Sequence, residues 1–474
     1  MRKSTLLVSL VLFVASQLGS LAAELSAQQK QWLAKGHRHE KAGWTYLHIE
    51  GEARARGFQH GYLLAKEIAE AIRVTAAQWE YDSSFDWAWL KKNTNGFINK
   101  GVDAENRAEM AGIAEGMNAA GVPTTYDDIL AYNASIETTG YWWPEAAKKI
   151  DGAATIVTTP KEACSSFIAT GKMTKDGGVV LAHNTMSGYT MALYNVVLDL
   201  VPAKGHRILM QAQPGFIHSG TDFFVTDAGL VGSETTIGGF HGFTEKGIPE
   251  FIRMRRATQD AGSIDQWAEI MQKGNNGGYA NAWLIGDVNT KEIARLEQGL
   301  KYTAFERTKD GFYLGSNIAE NRKILRLETD MKDDTDIRYS AVARRVRWKQ
   351  LMKENVGKID LAKAKEFEAD CVDTCFLTDS GHAALALNSR GDLAAQLANP
   401  HKIPFNPAGT TDAKVVDTAL AKKMSFAARW GSADGAAFDA PKFLQEHPQF
   451  DWMEGILKSR PSQPWVDVTA GEQP

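Results

Sequence analysis

The stretch from Cys164 to Thr185 constrains this chain more than any other. Ala163-Cys164-Ser165-Ser166-Phe167-Ile168-Ala169-Thr170-Gly171 leads through Asp176-Gly177-Gly178 into Val179-Val180-Leu181-Ala182-His183-Asn184-Thr185. Two strand-like runs about a glycine turn predict an antiparallel hairpin whose first strand opens at Cys164. A thiol at a strand's first residue, behind a small alanine, suits a chain that cuts itself there. The thiol is then the nucleophile and the new amino terminus its base.

Around that hairpin the pattern changes twice. From Gln28 to about Tyr132 the signals are helical: Gly61–Ile72 and Asn106–Ala119 carry apolar residues at helical spacing, and Thr125 with Asp128 resembles a capping box. From Cys164 to about Gly315 short strands are predicted at 194–201, 207–210, 223–226, 229–237, 282–287 and 292–297, with one helix over 263–273. After Asp336 the chain reads as helical again and basic, through Arg338, Arg344, Arg345, Arg347 and Lys349. Helices, then many strands, then helices predict an α+β fold with an antiparallel sheet core rather than a doubly wound parallel sheet.

The first 23 residues have the form of a removable secretory signal. Arg2 and Lys3 precede an apolar run, Leu6–Ala15, and the small residues Ser20-Leu21-Ala22-Ala23. The expected product is periplasmic or secreted, with no stable membrane insertion once the signal is removed; an uncleaved anchor is the alternative. Three segments are therefore expected: 1–23 signal, 24–163 mainly helical, and 164–474 catalytic, the last two forming one compact domain. A net charge of -4 gives no reason to expect nucleic acid. Of three cysteines, Cys371 and Cys375 are close enough in sequence to bridge, which would leave Cys164 as a free thiol.

Cys164-Ser165-Ser166-Phe167 and its hairpin resemble the start of the catalytic chain in the N-terminal-nucleophile (Ntn) hydrolases. Two groups fit: the phospholipase B-like proteins and the acyl-CoA:6-aminopenicillanic acid acyltransferases. The phospholipase B-like match is the closer. It runs through Leu181-Ala182-His183-Asn184-Thr185, Gly229–Phe240, Gly277-Gly278-Tyr279-Ala280-Asn281-Ala282-Trp283 and Arg295-Leu296-Glu297. It continues late in the chain at Thr411-Asp412-Ala413-Lys414-Val415 and His447-Pro448-Gln449, and Gly57-Phe58-Gln59-His60-Gly61 is similar to the opening motif of both groups.

The resemblance implies an αββα sandwich of two stacked sheets between helical layers. It also implies a precursor that cleaves itself between Ala163 and Cys164. An α-amino group titrates near ~8 and so can accept a thiol proton more readily than a lysine near ~10. By the same resemblance Asn281 helps bind a developing oxyanion, and His183 orients the thiol or amine or is simply a core histidine. Asn184 and Thr236 are expected at the pocket floor. Arg344 is the candidate for an arginine facing the site, with Arg345 and Arg347 as solvated neighbours. The substrate implied is a small acyl amide, ester or lipid, and no cofactor or metal is called for. Trp79, Trp87, Trp89, Trp142 and Trp143 serve either as core or as an apolar wall for an acyl group. In the acyltransferase pattern an aspartate stands two residues after the matching asparagine; here that place is Met186, which argues against transferring that group's mechanism.

Three other readings compete. A papain-like pair would join Cys164 to His241 or His382, but the local signature is absent and no helix is predicted at the cysteine. His37-Arg38-His39 offers two metal ligands without a His-Glu-x-x-His pattern. A catalytically silent, unprocessed binding protein on the same fold is the third.

Overall fold

The computed structural model describes residues 24–150, 164–191, 195–220, 223–331, 333–375, 384–395 and 403–474. The expected signal, Ala163 and His382 lie outside the described residues. The first eight strands are β1 (His37–Lys41), β2 (Trp44–Gly51), β3 (Cys164–Thr170), β4 (Val180–Gly188), β5 (Val196–Pro202), β6 (Ile208–Ala212), β7 (Phe223–Thr226) and β8 (Leu230–Thr236). Then follow β9 (Asn281–Asp287), β10 (Glu292–Gln298), β11 (Thr303–Thr308), β12 (Gly311–Gly315), β13 (Ala408–Asp417), β14 (Ser425–Trp430) and β15 (Val466–Thr469).

They form a nine-stranded sheet, β1-β2-β5-β6-β7-β8-β9-β10-β11, and a six-stranded sheet, β12-β3-β4-β13-β14-β15. Every pairing is antiparallel except β2 with β5. Alternate side chains of each sheet meet in one core: Ile168, Leu181, Val416 and Phe426 from the smaller, Val197, Leu209, Val225 and Leu284 from the larger. The intervening residues face helices. Leu198, Met210, Phe224 and Ile285 pack with Ile68, Ile113, Met254 and Trp267. Phe167, Ala182 and Val415 pack with Trp348, Met352 and Phe367. The result is the four-layer αββα sandwich that the resemblance implied.

The helical layer over the large sheet depends on a close crossing of Ala53–Leu63 with Ala104–Ala119. A Cβ on Gly57 would lie 2.1 Å from the Glu109 carbonyl oxygen, and one on Gly61 2.0 Å from that of Ile113. On the facing helix, a Cβ on Gly112 would lie 2.3 Å from the Arg54 oxygen and one on Gly116 2.2 Å from that of Phe58. A pair of glycines one helical turn apart on each helix brings backbone onto backbone, which gives the Gly57–Gly61 motif a steric reason.

Two parts depart from expectation. The segment before Cys164 contains β1 and β2 as well as helices. Trp44 to Ile49 is buried on both faces, so the run shows no alternation to mark it as a strand. The region after the basic helix is not uniformly helical either: β13, β14 and β15 return to complete the six-stranded sheet. The capping box at Thr125 and Asp128 forms as expected. No helix among the described residues is long and apolar enough to cross a membrane.

Candidate active site

Cys164 is the first residue of β3, 3% exposed, and is paired across the ladder with Thr185 of β4. Its main chain is gripped from two sides. Its N–H donates to Asn317 Oδ1 at 3.2 Å, and its carbonyl accepts from Arg344 Nη1. Arg344 also donates to Asn317 Oδ1 at 2.8 Å and to Ser340 Oγ at 3.0 Å, and is fully buried. Asn317 Nδ2 in turn donates to the Thr236 carbonyl at 2.8 Å, tying the end of β8 to the start of β3. Asn317 holds φ 66°, a left-handed conformation that asparagine tolerates better than most residues. The next residues inward fix the strand. Ser165 Oγ accepts from the Trp348 indole at 2.9 Å, and Ser166 shares a 2.7 Å hydrogen bond with Ser233 of the facing sheet.

The thiol meets a carboxylate. Cys164 Sγ donates to Glu234 Oε1 at 3.8 Å, and the Tyr279 hydroxyl donates to the same oxygen at 2.7 Å. Tyr279 sits at φ 53°, uncommon for an aromatic residue, beside Gly278, whose Cβ would lie 2.1 Å from Glu137 Oε2. Burial holds the Glu137 carboxyl above the usual range, and it accepts from Asn276 Nδ2 at 2.8 Å. Burial likewise pushes the Tyr141 phenol well up, with the charges of Glu234, Glu250 and Glu137 adding to the effect.

A second polar group lies on the far side of Thr185. Lys414 Nζ donates to Thr185 Oγ1 at 2.6 Å, and to Gln211 Oε1 and Asp412 Oδ1. Lysine and aspartate are both fully buried.

The residues expected from sequence differ in how close they come to Cys164. Arg344 touches Cys164, whereas Arg345 pairs with Asp334 and Glu320, and Arg347 with Asp370. Thr236 is one hydrogen bond removed through Asn317, and Asn281 is its cross-strand partner. Asn281 is fully buried, and neither polar atom of its side chain has a hydrogen-bond partner among the described residues. His183 lies opposite Ser166, on the same face of the sheet as Cys164 but two residues deeper. Burial, reinforced by the Lys414 charge, holds its pKa well below the usual histidine range. Asn184 is the correction. It pairs with Ser165, and strand alternation turns it to the helical side, where Nδ2 donates to the Glu368 and Leu387 carbonyls at 2.7 and 3.1 Å.

Among the described residues, the competing histidines are placed elsewhere. His241 is exposed and lies against Asp330. His37 and His39 stack on His48 and Tyr46 on the β1–β2 hairpin, and no metal-holding cluster occurs among the described residues. Cys371 and Cys375, expected to be able to bridge, are not joined by a disulfide; Asp370 and Asp373 each accept an N–H two residues on, shaping the chain between them into tight turns. Glu234, Tyr279 and Lys414 lie within Gly229–Phe240, Gly277–Trp283 and Thr411–Val415, where the sequence alone gives them no role. Asn317 had no signal beyond the turn-like Gly315-Ser316-Asn317.

A four-layer sandwich with a buried thiol opening a central strand is the class that fold and site define. A family model described as phospholipase B matches residues 37–305, and the chain belongs to the phospholipase B family. Among relatives, phospholipase B-like 1 of Caenorhabditis elegans is 24% identical over 63% of this chain and 56% of its own length. Phospholipase B-like 2 of Rattus norvegicus is 26% identical over 58% and 52%. The chain thus spans about half the length of the curated relatives it matches. Among solved structures, a mutant conjugated bile acid hydrolase from Clostridium perfringens aligns over 56% of this chain and 89% of that one, at 11% identity and a TM-score of 0.33.

Proposed function

We propose that this protein is an exported, self-processed acyl hydrolase in which Cys164 is both nucleophile and, after cleavage from Ala163, amino terminus. The observation that carries this reading is the setting of Cys164. A thiol only 3% exposed is closed to an external acyl compound yet joined directly to the peptide bond it would cut. Once cut, the α-amine accepts the thiol proton near its own pKa of ~8. The thiolate attacks an acyl carbonyl, the bond to the leaving amine or alcohol breaks, and water releases the acid from the thioester. An amine acceptor in place of water would make the protein an acyltransferase.

Asn281 serves as an oxyanion donor in this account, because its buried amide is spent on no other partner among the described residues. Arg344 and Asn317 hold the nucleophile's main chain, with Thr236 linked through Asn317. An apolar acyl group has a neighbouring wall to lie on. Tyr279 meets Tyr141 edge-on with ring centroids 6.2 Å apart, and the next residues, Trp142 and Trp143, continue to Trp79 and Trp89. The test is turnover of para-nitrophenyl esters and N-acyl amides of graded chain length by the wild type beside Cys164→Ala. Activity lost in the variant and rising with chain length supports the reading; equal rates in both proteins exclude Cys164 as the nucleophile.

A further inference from the structure

A nucleophile that borrows its own amino terminus as base lacks that base before the chain is cut. Until then the nitrogen of Cys164 is an amide, and it donates a hydrogen to Asn317 Oδ1 at 3.2 Å. Some other group must take the thiol proton in the uncut chain. His183 is a poor choice: it is two residues deeper in the sheet, and burial together with the Lys414 charge weakens its hold on a proton. Lys414 is committed to Asp412, Gln211 and Thr185. Glu234 is different, because its Oε1 already accepts from the Cys164 thiol at 3.8 Å.

We propose that Glu234, held by the Tyr279 hydroxyl, is the general base of the self-cleavage step, a role separate from turnover of external substrate. The inference rests on the self-processing reading above. Glu234 takes the proton from Sγ, and the thiolate attacks the carbonyl carbon of the peptide bond joining Cys164 to its predecessor. As the resulting tetrahedral centre collapses, the C–N bond breaks and the departing nitrogen receives the proton from Glu234. A thioester remains, and water hydrolyses it: its hydroxyl goes to the new carboxyl terminus and its hydrogen to the thiol. Asn317 holds the leaving nitrogen throughout. Tyr279 fixes the base. Its donation at 2.7 Å stabilises the ionised carboxylate, and its left-handed backbone is braced where Gly278 lies against Glu137.

The test follows full-length chain from cell-free synthesis by intact mass over time, with Cys164→Ala as the uncut control. General-base contributions are typically ~10²–10⁴-fold, so Glu234→Gln should slow cleavage at least about 100-fold. Tyr279→Phe should move the acid limb of the rate–pH profile upward, because the carboxylate loses a donor. Formate added to Glu234→Ala should restore part of the rate, which a purely structural defect would not allow. Cleavage of Glu234→Gln within about threefold of wild type overturns the proposal, being far short of a general base's contribution. So does a slow Glu234→Ala that formate leaves unchanged, or a Tyr279→Phe profile that coincides with the wild type. A wild-type chain that never cuts refutes instead the self-processing reading on which the proposal rests.

Discussion

Replacing Lys414 by methionine removes the one ammonium in a closed, fully buried group between the sheets. Lys414 and Asp412 are both 0% exposed, and the lysine donates to Asp412, Gln211 and Thr185. Without it the Asp412 carboxylate keeps Gln211 Nε2 at 2.9 Å and Thr411 Oγ1 at 3.2 Å, but no opposite charge within the group. Breaking a buried pair from one side costs about 3–5 kcal/mol. Two surviving donors place this case near the lower end, about 3 kcal/mol. Urea unfolding in a Cys164→Ala background, which lacks the nucleophile of the proposed self-cleavage, measures it by linear extrapolation. Removing the stranded acid as well, in Lys414→Met/Asp412→Leu, should recover most of the loss. A single variant within about 0.5 kcal/mol of its parent would refute the view that this group is a desolvated ion pair.

Gly116→Ala places a Cβ 2.2 Å from the Phe58 carbonyl oxygen and 2.6 Å from the Tyr62 nitrogen, so the helices must separate. A loss of about 1–3 kcal/mol or more in urea unfolding is expected, and none if the crossing can relax freely. His60 supplies a pH test: burial, only partly offset by the nearby Glu109, lowers its pKa to about 4, and its Nε2 accepts from the Gly215 N–H at 2.9 Å. The unfolded chain binds the proton first, so this contribution is constant above pH ~6.5 and is lost as pH falls from there towards 4, by about 3 kcal/mol. His60→Gln should flatten that part of the stability profile. Asn281→Ala should lower kcat on any active acyl substrate about 10²–10³-fold while leaving substrate binding nearly unchanged; a rise in KM alone would remove the oxyanion role.

How far the sequence reveals this molecule depends on whether the relevant physics is local. The β3–β4 hairpin was legible because both strands and their glycine turn are contiguous in sequence, and β3 does begin at Cys164. β7 was legible to the residue, its aromatic and β-branched run ending at a turn. β2 was not, because a strand buried on both faces has no alternation, and β13 to β15 were hidden behind a long helical stretch. Within the site, Arg344 was singled out from three neighbouring arginines, and it alone of these bonds to Cys164. Asn184 was misplaced although the rule that excludes it was available: its neighbour His183 shares the thiol's face, so Asn184 cannot. Glu234 and Asn317 come to Cys164 from 70 and 153 residues away, and no local pattern encodes such contacts.

The central claim is that Cys164 becomes an amino terminus. Intact mass and N-terminal sequencing of the purified protein, beside Cys164→Ala, test it most directly. The account predicts two fragments that stay associated, one beginning at Cys164, and a single whole chain in the variant. One uncut chain in both samples, or a cut at another residue that persists in Cys164→Ala, would contradict it.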